Sequence, residues 1–322
     1  HRAAVAEIEA MGDQVKGLSR KQMLQFVRDF MEDVPRGKEF NCEFIPANAN
    51  GVAAEWVIAP GVDTSRRVLY IHGGAFIAGS PNSHRTVTSH YSEVARAAVL
   101  AIDYRLMPEN PRLAGIEDCQ TAYRWILENG PEGSAMASRM FISGDSAGGN
   151  LSLMLSQWIR DEKLSKPDAV VALSPLTDST YSAPSYRQNL LTDTMLGPLF
   201  GGLLKVPKWI LAWIFTLENK VRPSNPRVSP LHGNLSNLPP TLIQVSEAEM
   251  FLDDAVRYVN KSTAQGSIAI LQSWPFLMHV WHAFDVPEAA EAFEAIGEFV
   301  RQYASDSQET EEHVPRSAAS LD

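Results

Sequence analysis

A serine between glycines is the first group in this chain with a clear chemical use. Residues 140–144 form an apolar, strand-like run, and the chain continues as Gly-Asp-Ser-Ala-Gly-Gly with Ser146 at its centre. The pattern G-x-S-x-G between a strand and a helix is typical of a nucleophile elbow, in which the serine occupies a strained turn beside small neighbours. A plain glycine turn gives the same letters, so this motif alone leaves the function open. A dinucleotide-binding loop is not indicated, because its G-x-G-x-x-G spacing is absent.

A second glycine loop follows the strand predicted for residues 68–72. There the sequence reads His-Gly-Gly-Ala, and a loop of this HGGG type offers backbone N–H groups to the oxyanion of a tetrahedral intermediate. The residue after the nucleophile adds a further N–H, and each donor contributes about 3 kcal/mol to transition-state stabilisation. The predicted donors are the amides of Gly73, Gly74, Ala75 and Ala147. Together the two loops predict a serine hydrolase.

Both loops resemble those of the hormone-sensitive-lipase family of esterases, which carry HGGG before GDSAGG. The resemblance runs from residue 70 to residue 303 and includes Tyr-Arg-Leu-Met-Pro-Glu at residues 104–109, close to the family's YRLAPE. It implies a serine carboxylesterase that forms an acyl-enzyme, takes short- to medium-chain acyl esters, and forms dimers through its last strand. Ala75 replaces the family's third glycine but keeps its N–H. The motif residues expected to support the two loops are His72, Gly144, Asp145 and Gly148.

The catalytic acid is expected after Ser146, since the chain order in this fold is serine, acid, histidine. Residues 241–246 form a predicted strand, and the carboxylates of the next segment compete for the role. The family's pattern E-x-D-P-L-R-D places Glu249 on the catalytic Asp and Asp253 on the second Asp. We therefore predict Glu249 as the acid and keep Asp253 as the alternative. Asp253 and Asp254 also suit the start of a helix, where carboxylates meet the positive end of the helix dipole.

The general base is expected in the loop after the last strand, predicted for residues 268–274. The family's Gly-Met-x-His aligns its histidine with His279, although Phe-Leu replaces the Gly-Met pair. His282 is the alternative. His72 precedes the nucleophile, so it is expected to hold its loop by hydrogen bonding and not to act as the base. His279 would take the serine proton and return it to the leaving alcohol.

The surrounding elements predict an α/β-hydrolase fold, a mostly parallel sheet flanked by helices with a helical cap, because short apolar runs alternate with helical patterns. The strands are predicted at residues 53–58, 68–72, 99–103, 140–144, 169–174, 241–246 and 268–274. The reactive residues follow carboxyl ends of these strands, where such sheets bind ligands. The predicted organisation is N-terminal cap helices (1–45), a catalytic domain in two parts (46–180 and 236–304), a cap insertion (181–235) and a flexible tail (305–322).

Charge and composition exclude some classes of partner. The formal net charge of −10 repels a phosphate backbone, so nucleic-acid binding is not expected. Residues 195–215 are the most apolar stretch, but prolines and lysines interrupt them, which argues against a membrane span. Cys42 and Cys119 lack framework spacing and predict a reduced, cytoplasmic protein. The histidines show no metal-ligand spacing, and the predicted chemistry requires no cofactor.

The predicted cap insertion supplies an indication of substrate class from the residues themselves. Its apolar residues Trp209, Leu211, Trp213 and Phe215 are expected either to wall an acyl pocket or to pack against the sheet, and as a group they favour a small apolar ester. Two other functions stay open. An amide hydrolase would share every motif, and a hydrolase-like receptor would keep the pocket without a working base.

Overall fold

An eight-stranded sheet forms the centre of the molecule. The computed structural model describes residues 17–304 of the 322-residue chain. The strands are β1 (Glu43–Ala49), β2 (Val52–Ile58), β3 (Asp63–Ile71), β4 (Ala97–Ile102), β5 (Asn129–Gly130), β6 (Gly133–Ser134), β7 (Arg139–Asp145), β8 (Ala169–Leu173), β9 (Thr241–Ser246) and β10 (Ala269–Trp274). The order in the sheet is β1-β2-β4-β3-β7-β8-β9-β10, and β5 and β6 form a separate hairpin. From β4 to β10 along this order every neighbouring pair is parallel, whereas β1 and β2 are antiparallel to their neighbours.

The parallel strands form from apolar runs without alternation. Strands β4, β8 and β9 are buried along their whole length, as expected for strands covered on both faces. The seven predicted strands are confirmed, with β3 beginning earlier, at Asp63. Strand β1 was not among them, and it begins at Glu43, inside the range assigned to the N-terminal cap helices. Its half-exposed pattern at the sheet edge gives only a weak sequence signal.

Helices cover both faces of the sheet. The α-helices of the described residues are α1 (Arg20–Asp33), α2 (Arg85–Ala95), α3 (Arg112–Glu128), α4 (Ala147–Asp161), α5 (Ser185–Gln188), α6 (Leu196–Phe200), α7 (Lys208–Asn219), α8 (Leu252–Ala264) and α9 (Pro287–Ala304). Short 3₁₀ turns lie at Asn82–His84, Leu203–Lys205, Pro230–His232 and Trp281–Ala283. Side chains alternate along β3: Val68 and Tyr70 join the core with α2 and α9, while Leu69 and Ile71 join the core with α3, α4 and α8.

The segment 181–235 interrupts the strand–helix alternation. It contains α5, α6 and α7, and the structure places no strand in these residues. Helix α1 is fastened to loops beyond β3 and β4, because Arg28 donates to the carbonyl oxygens of Ile77 and Met107 and pairs with Glu109. The flexible tail expected at 305–322, and residues 1–16 of the expected N-terminal cap, lie outside the described residues.

Candidate active site

Strands β3 and β7 bring the two glycine motifs together. They are parallel neighbours with Ile71 opposite Gly144, so they end at the same edge of the sheet. The two loops then approach so closely that a Cβ atom on Gly148 would overlap the carbonyl oxygens of Ile71 and His72. A glycine is required at position 148 for this close approach of two backbones. The meeting of the two loops is as the sequence predicts.

Ser146 occupies a strained backbone conformation between β7 and α4. Its φ is 51° and its ψ is −113°, a region that costs a residue other than glycine on the order of 1–3 kcal/mol. The Ser146 N–H donates to the carbonyl oxygen of Leu173 (2.7 Å), and the Ser146 carbonyl oxygen accepts from the N–H of Asn150 (3.0 Å). These bonds hold the turn, and Ser146 stays partly exposed.

A continuous chain of hydrogen bonds joins Ser146, His279 and Glu249. Nε2 of His279 lies 2.8 Å from Oγ of Ser146, and Nδ1 of His279 lies 2.7 Å from Oε2 of Glu249. The three residues follow different strands, β7, β10 and β9, and both His279 and Glu249 are buried. A hydroxyl, an imidazole within hydrogen-bond reach of it and a carboxylate that orients the imidazole can together supply a nucleophile and its general base.

The carboxylate of Glu249 is fixed by donors on its other oxygen. Oε1 accepts from the hydroxyl of Ser174 and from the N–H of Ser246, each at 2.8 Å. Burial raises the pKa of Glu249, and the neighbouring His279 acts in the opposite direction. Because Oε1 is occupied, Oε2 is the oxygen that meets the imidazole.

The environment of His279 favours a proton on its ring. Burial disfavours the imidazolium, but the charge and hydrogen bond of Glu249 outweigh this cost and raise the pKa of His279 above its ordinary 6.5. The ring also makes an edge contact with Phe251, with the ring centres 5.3 Å apart. A base with a raised pKa that faces a serine hydroxyl is suited to general acid–base chemistry near neutral pH.

The loop that carries His279 is held by serines of the neighbouring strands. The N–H of Leu277 donates to Oγ of Ser246 (3.0 Å), and the N–H of Val280 donates to Oγ of Ser174 (3.4 Å). Phe276 has a φ of 55° and an exposed side chain. This is the position of the family's glycine, so the loop keeps a glycine-like conformation with a phenylalanine whose ring points into solvent.

The two alternative residues lie elsewhere. His282 is buried, its Nε2 lies 2.9 Å from Oε1 of Gln244, and burial lowers its pKa to about 3. Oδ2 of Asp253 accepts a hydrogen bond from the N–H of Ser185 (2.8 Å). Asp253 and Asp254 lie in the first turn of α8, the position that the sequence suggested for them. Neither His282 nor Asp253 is hydrogen bonded to the serine or the imidazole of the site within residues 17–304.

The oxyanion loop has a left-handed backbone. Gly74 has a φ of 108°, and a Cβ atom there would overlap the carbonyl oxygen of Ala78. Ala75 has a φ of 54°, which glycine adopts freely and alanine adopts at a cost of roughly 1–2 kcal/mol. The replacement of the family's third glycine by alanine is therefore accommodated with strain and without a change of the loop's handedness.

One of the expected oxyanion donors is already engaged. The N–H of Gly73 donates to Oδ1 of Asp145 (3.1 Å), so Gly73 differs from the expectation that all four amides are free. The amides of Gly74, Ala75 and Ala147 make no hydrogen bond to another of residues 17–304. Gly73 thus ties the loop to the nucleophile turn, and three amides remain as candidate donors.

Asp145 belongs to a buried ion pair that the sequence analysis did not identify. Its Oδ1 accepts from the hydroxyl of Tyr70 (2.6 Å), and its Oδ2 lies 3.5 Å from Nε2 of His84. Burial disfavours the carboxylate, yet the attraction of His84 and the hydrogen bonds lower the pKa of Asp145 to about 2. Burial also disfavours charge on His84, but Asp145 raises the pKa of this histidine. No spacing motif links the two residues, so the pair could not be predicted from the sequence.

His72 holds its own loop, in agreement with the expected role. Its Nδ1 lies 2.7 Å from the carbonyl oxygen of Gly73, and its ring stacks on Tyr104 with centres 4.3 Å apart. Burial and the nearby His84 lower the pKa of His72 to about 3, so the ring is neutral. The hydroxyl of Tyr104 also donates to the carbonyl oxygen of His72 (3.0 Å).

Arg112 is a second buried group that sequence reasoning missed. Its guanidinium donates to Asn150 of α4 and to the carbonyl oxygen of Val228, and no carboxylate among residues 17–304 pairs with it. Burial lowers the pKa of Arg112 to about 10. The cation lies 3.8 Å from the ring centre of Phe76, beside the oxyanion loop, and 5.7 Å from that of Phe215 in α7. Arg112 thus joins the nucleophile helix, the oxyanion loop and the 181–235 segment.

The four apolar residues of α7 divide into two pairs. Leu211 and Phe215 are half-buried and face the rest of the molecule. Trp209 and Trp213 are exposed, so they neither wall a pocket nor pack against the sheet, in contrast to the expectation for this group. Because α7 has two apolar faces, the sequence alone did not distinguish the exposed pair from the half-buried pair.

Within residues 17–304 no three side chains of His, Cys, Asp or Glu cluster so as to hold a metal ion. Cys42 and Cys119 are unpaired. Every helix in the same residues is too short or too polar to cross a membrane.

Comparisons with known proteins agree with the geometry. Residues 68–283 match a family described as having the alpha/beta hydrolase fold. The chain is similar to an acetyl-hydrolase of Streptomyces hygroscopicus, with 37% identity over 77% of this chain and 79% of that protein. It is also similar to the carboxylesterase/phospholipase LipF of Mycobacterium tuberculosis, with 36% identity over 84% of this chain and 72% of that protein.

A solved structure gives the same result. The crystal structure of an esterase from the bacterial hormone-sensitive lipase family superposes with a TM-score of 0.78 and 32% identity, over 94% of this chain and 98% of that one. The fold, the two glycine loops and these relatives point in one direction. This chain belongs to the α/β-hydrolase family, among the esterases of the hormone-sensitive-lipase type.

Proposed function

We propose that this carboxylic ester hydrolase uses Ser146, His279 and Glu249 as its catalytic triad. The observation that carries the proposal is the unbroken hydrogen-bond chain from Oγ of Ser146 through the imidazole to Oε2 of Glu249. The amides of Gly74 and Ala75, together with that of Ala147, are the proposed oxyanion hole.

Acylation begins when Oγ of Ser146 attacks the carbonyl carbon of the ester. Nε2 of His279 takes the hydroxyl proton as the new C–O bond forms, and the carbonyl oxygen becomes an oxyanion. Glu249 keeps the Nδ1 proton in place and stabilises the imidazolium. The imidazolium then gives its proton to the leaving alkoxide, so an alcohol departs and the serine carries the acyl group.

Deacylation repeats these steps with water as the nucleophile. His279 takes a proton from water as its oxygen attacks the acyl carbon, and a second oxyanion forms in the same hole. Collapse of this intermediate releases the carboxylic acid, and the proton returns from His279 to Oγ of Ser146. The transfers between Ser146 and His279 use groups that already lie 2.8 Å apart, so they require no large movement of these two side chains.

The proposed substrates are apolar esters with short to medium acyl chains. The rings of Phe251 and Phe76 lie beside the imidazole and the oxyanion loop, and such apolar walls favour an uncharged acyl group. The names of the relatives, acetyl-hydrolase and carboxylesterase, support a small acyl group. An amide hydrolase or a receptor without catalysis is not favoured, because the relatives are esterases and the base contacts the nucleophile.

The domain division, the oligomeric state and the cellular location stay as predictions. The division into a cap (1–45 and 181–235) and a two-part catalytic domain (46–180 and 236–304) is supported by the absence of strands from 181–235. A homodimer through the last strand is supported by the position of β10 at the sheet edge. A cytoplasmic location is supported by the two unpaired cysteines.

Hydrolysis of p-nitrophenyl esters from acetate to hexanoate tests the triad. Replacing the nucleophile in Ser146→Ala should lower kcat by about 10⁴-fold or more, with the fold intact by circular dichroism. The matched control is Ser152→Ala in α4, the helix that follows Ser146. It removes a buried hydroxyl without a hydrogen-bond partner and should change the rate less than about twofold. Equal rates for Ser146→Ala and the wild type would remove the proposal. A p-nitroanilide turned over faster than the matching ester would favour an amide hydrolase.

A further inference from the structure

Helix α7 presents a row of large apolar side chains to solvent. Trp209 is 74% exposed, Trp213 is 62% exposed and Leu217 is 50% exposed. The three residues are four positions apart, so they lie along one side of the helix. No other ring of residues 17–304 makes a ring contact with either tryptophan. Large apolar surfaces of this kind mark places where a partner binds.

Helix α7 exposes this row although its other side packs against the rest of the chain. Phe215 lies over the buried guanidinium of Arg112, and Asn219 at the end of the helix is buried. Arg20 of α1 pairs with Glu218 on another side of α7 (3.1 Å). The helix is therefore docked through one face, and this docking turns the row of Trp209, Trp213 and Leu217 outward.

The segment that carries this row differs in charge from the whole chain. Residues 181–235 contain six lysines and arginines against two carboxylates, a net charge of +4, in a chain whose net charge is −10. Lys205, Lys208 and Lys220 lie at the two ends of α7 and are exposed. A basic rim around tryptophans complements a surface that is apolar inside and negative at its boundary, such as an anionic lipid layer.

A second copy of the chain would fit this surface less well. In a two-fold symmetric dimer the same patch occupies both sides of the interface, so a basic rim would face a basic rim. Like charges across such an interface cost free energy, whereas lipid phosphates would neutralise them. The charge therefore favours a lipid over a protein partner of identical sequence.

We propose that α7 docks the protein on an anionic lipid surface. The helix, about 18 Å long, is too short to span a bilayer and would lie parallel to its surface. Trp209, Trp213 and Leu217 would enter the boundary between headgroups and acyl chains, where tryptophan is favoured. Lys205 and Lys208 would meet the lipid phosphates. Docking would place the 181–235 segment, and with it the neighbouring active site, next to esters dissolved in the lipid.

Vesicle flotation of the full chain tests the proposal. The protein carries Ser146→Ala, so binding is measured without hydrolysis and its outcome is independent of the proposed triad. We expect partitioning onto phosphatidylcholine vesicles with roughly 30 mol% phosphatidylglycerol to exceed that onto pure phosphatidylcholine about tenfold, and to fall at about 0.5 M salt. Adding Trp209→Ser and Trp213→Ser should lower partitioning onto the anionic vesicles by about tenfold or more.

Two control pairs separate the proposed surface from general effects. Met136→Ser with Leu191→Ser removes apolar side chains that are also exposed but lie outside α7, and should leave binding unchanged. Lys205→Gln with Lys208→Gln should weaken binding, whereas Lys163→Gln with Lys166→Gln, which changes net charge equally at exposed positions outside residues 181–235, should not. The absence of vesicle binding, or equal binding by the tryptophan variant and the Met136 control, would overturn the proposal. Loss of a dimer in sedimentation equilibrium on Trp209→Ser with Trp213→Ser, without vesicle binding by the wild type, would assign the surface to a second copy instead.

Discussion

The strand-end region around Ser146 and the 181–235 segment are built in opposite ways. In the strand-end region the carboxylates Glu249 and Asp145 are buried and each is fixed by several hydrogen bonds. In the 181–235 segment, α7 exposes two tryptophans and has exposed lysines at its two ends. The first region stores strain and charge so that its groups are oriented before a substrate arrives. The second leaves apolar area free, which suits contact with changing partners.

The backbone shows what the orientation of the strand-end region costs. Ser146, Ala75 and Phe276 all have positive φ values, between 51° and 55°. Each such residue costs on the order of 1–3 kcal/mol, and it persists only where surrounding contacts fix it. The close approach of β3 and β7 and the hydrogen bonds to Ser174 and Ser246 provide those contacts. A substitution that weakens these contacts should therefore affect both stability and catalysis.

The largest effect that distinguishes fixed groups from peripheral ones is expected at Glu249. Glu249→Gln keeps the shape of the side chain but removes the charge that orients and supports His279, so kcat should fall by about 10³–10⁴-fold. Asp253→Asn, the matched control four residues on, should change kcat less than about threefold, because Asp253 contacts Ser185 and not the imidazole. Steady-state hydrolysis of p-nitrophenyl butyrate measures both. The reverse ranking would show that the acid was assigned wrongly.

The same substitution has a defined pH signature. His279 must be neutral to accept the serine proton, and Glu249 raises the pKa of His279 above 6.5. The acid limb of kcat/KM in the wild type should thus lie above pH 6.5, with activity lost as the pH falls through it. In Glu249→Gln the remaining activity should show this limb at lower pH, because burial then acts on the imidazole without a neighbouring carboxylate. An unmoved limb would mean that another group controls it.

A second test concerns the buried pair beneath the oxyanion loop. His84→Phe leaves Asp145 buried without its cation, and the free energy of unfolding at pH 7 should fall by roughly 3–5 kcal/mol. The Asp145 carboxylate has a pKa lowered to about 2, so its contribution to stability is present above about pH 4 and is lost as the pH falls towards 2. Urea unfolding at pH 7 measures the loss. Adding Asp145→Asn should recover part of it, and a double variant less stable than His84→Phe alone would contradict the ion-pair account.

The sequence predicted which segments meet at one edge of the sheet, because local rules determine where each strand ends. Ser146, the glycine loop at 72–75 and His279 each follow a short apolar run, and parallel strands must end at one edge. The pairing of His84 with Asp145 and the burial of Arg112 depend on residues that are far apart in the chain and have no common motif. Spacing rules carry no information on such contacts.

The sequence also did not predict every element boundary or the orientation of α7. Strand β1 begins at Glu43, inside the range predicted for the N-terminal cap helices, because its half-exposed pattern at the sheet edge lacks the continuous apolar run of the inner strands. The outward direction of Trp209 and Trp213 in α7 could not be predicted, since Leu211 and Phe215 offered an equally apolar face. The face of α7 that packs inward is determined by tertiary contacts such as that of Phe215 with Arg112, which is distant in the sequence.

A third test concerns the junction between the two regions. Asp254 is buried, and its Oδ2 accepts the N–H groups of Thr177 and Asp178, which lie just before the 181–235 segment. Burial outweighs these bonds and raises the pKa of Asp254 to about 7. The stability that this carboxyl contributes is present below its unfolded pKa of 3.8 and is lost as the pH rises through 7.

Asp254→Asn should remove that loss because an amide keeps the acceptor oxygen and cannot ionise. Relative to the wild type, the free energy of unfolding of the variant should rise between pH 5 and pH 9 by roughly 2–4 kcal/mol. Urea unfolding at both pH values measures the difference. A difference that stays constant with pH would show that Asp254 does not titrate in this range.

The smallest effect is expected for the tryptophans of α7, and it defines the other end of the comparison. Trp209→Ser with Trp213→Ser removes side chains that contact little of the folded chain, so the free energy of unfolding should change by less than about 1 kcal/mol. Trp56→Ala is the matched control in the core, where the side chain is 2% exposed, and it should cost roughly 3–5 kcal/mol. Hydrolysis of p-nitrophenyl acetate by the double variant should stay within about twofold of the wild type, because this small ester needs no lipid surface. A loss of stability close to that of Trp56→Ala would mean that the row is covered within the folded chain, and the contrast between a fixed catalytic edge and an open cap surface would no longer hold.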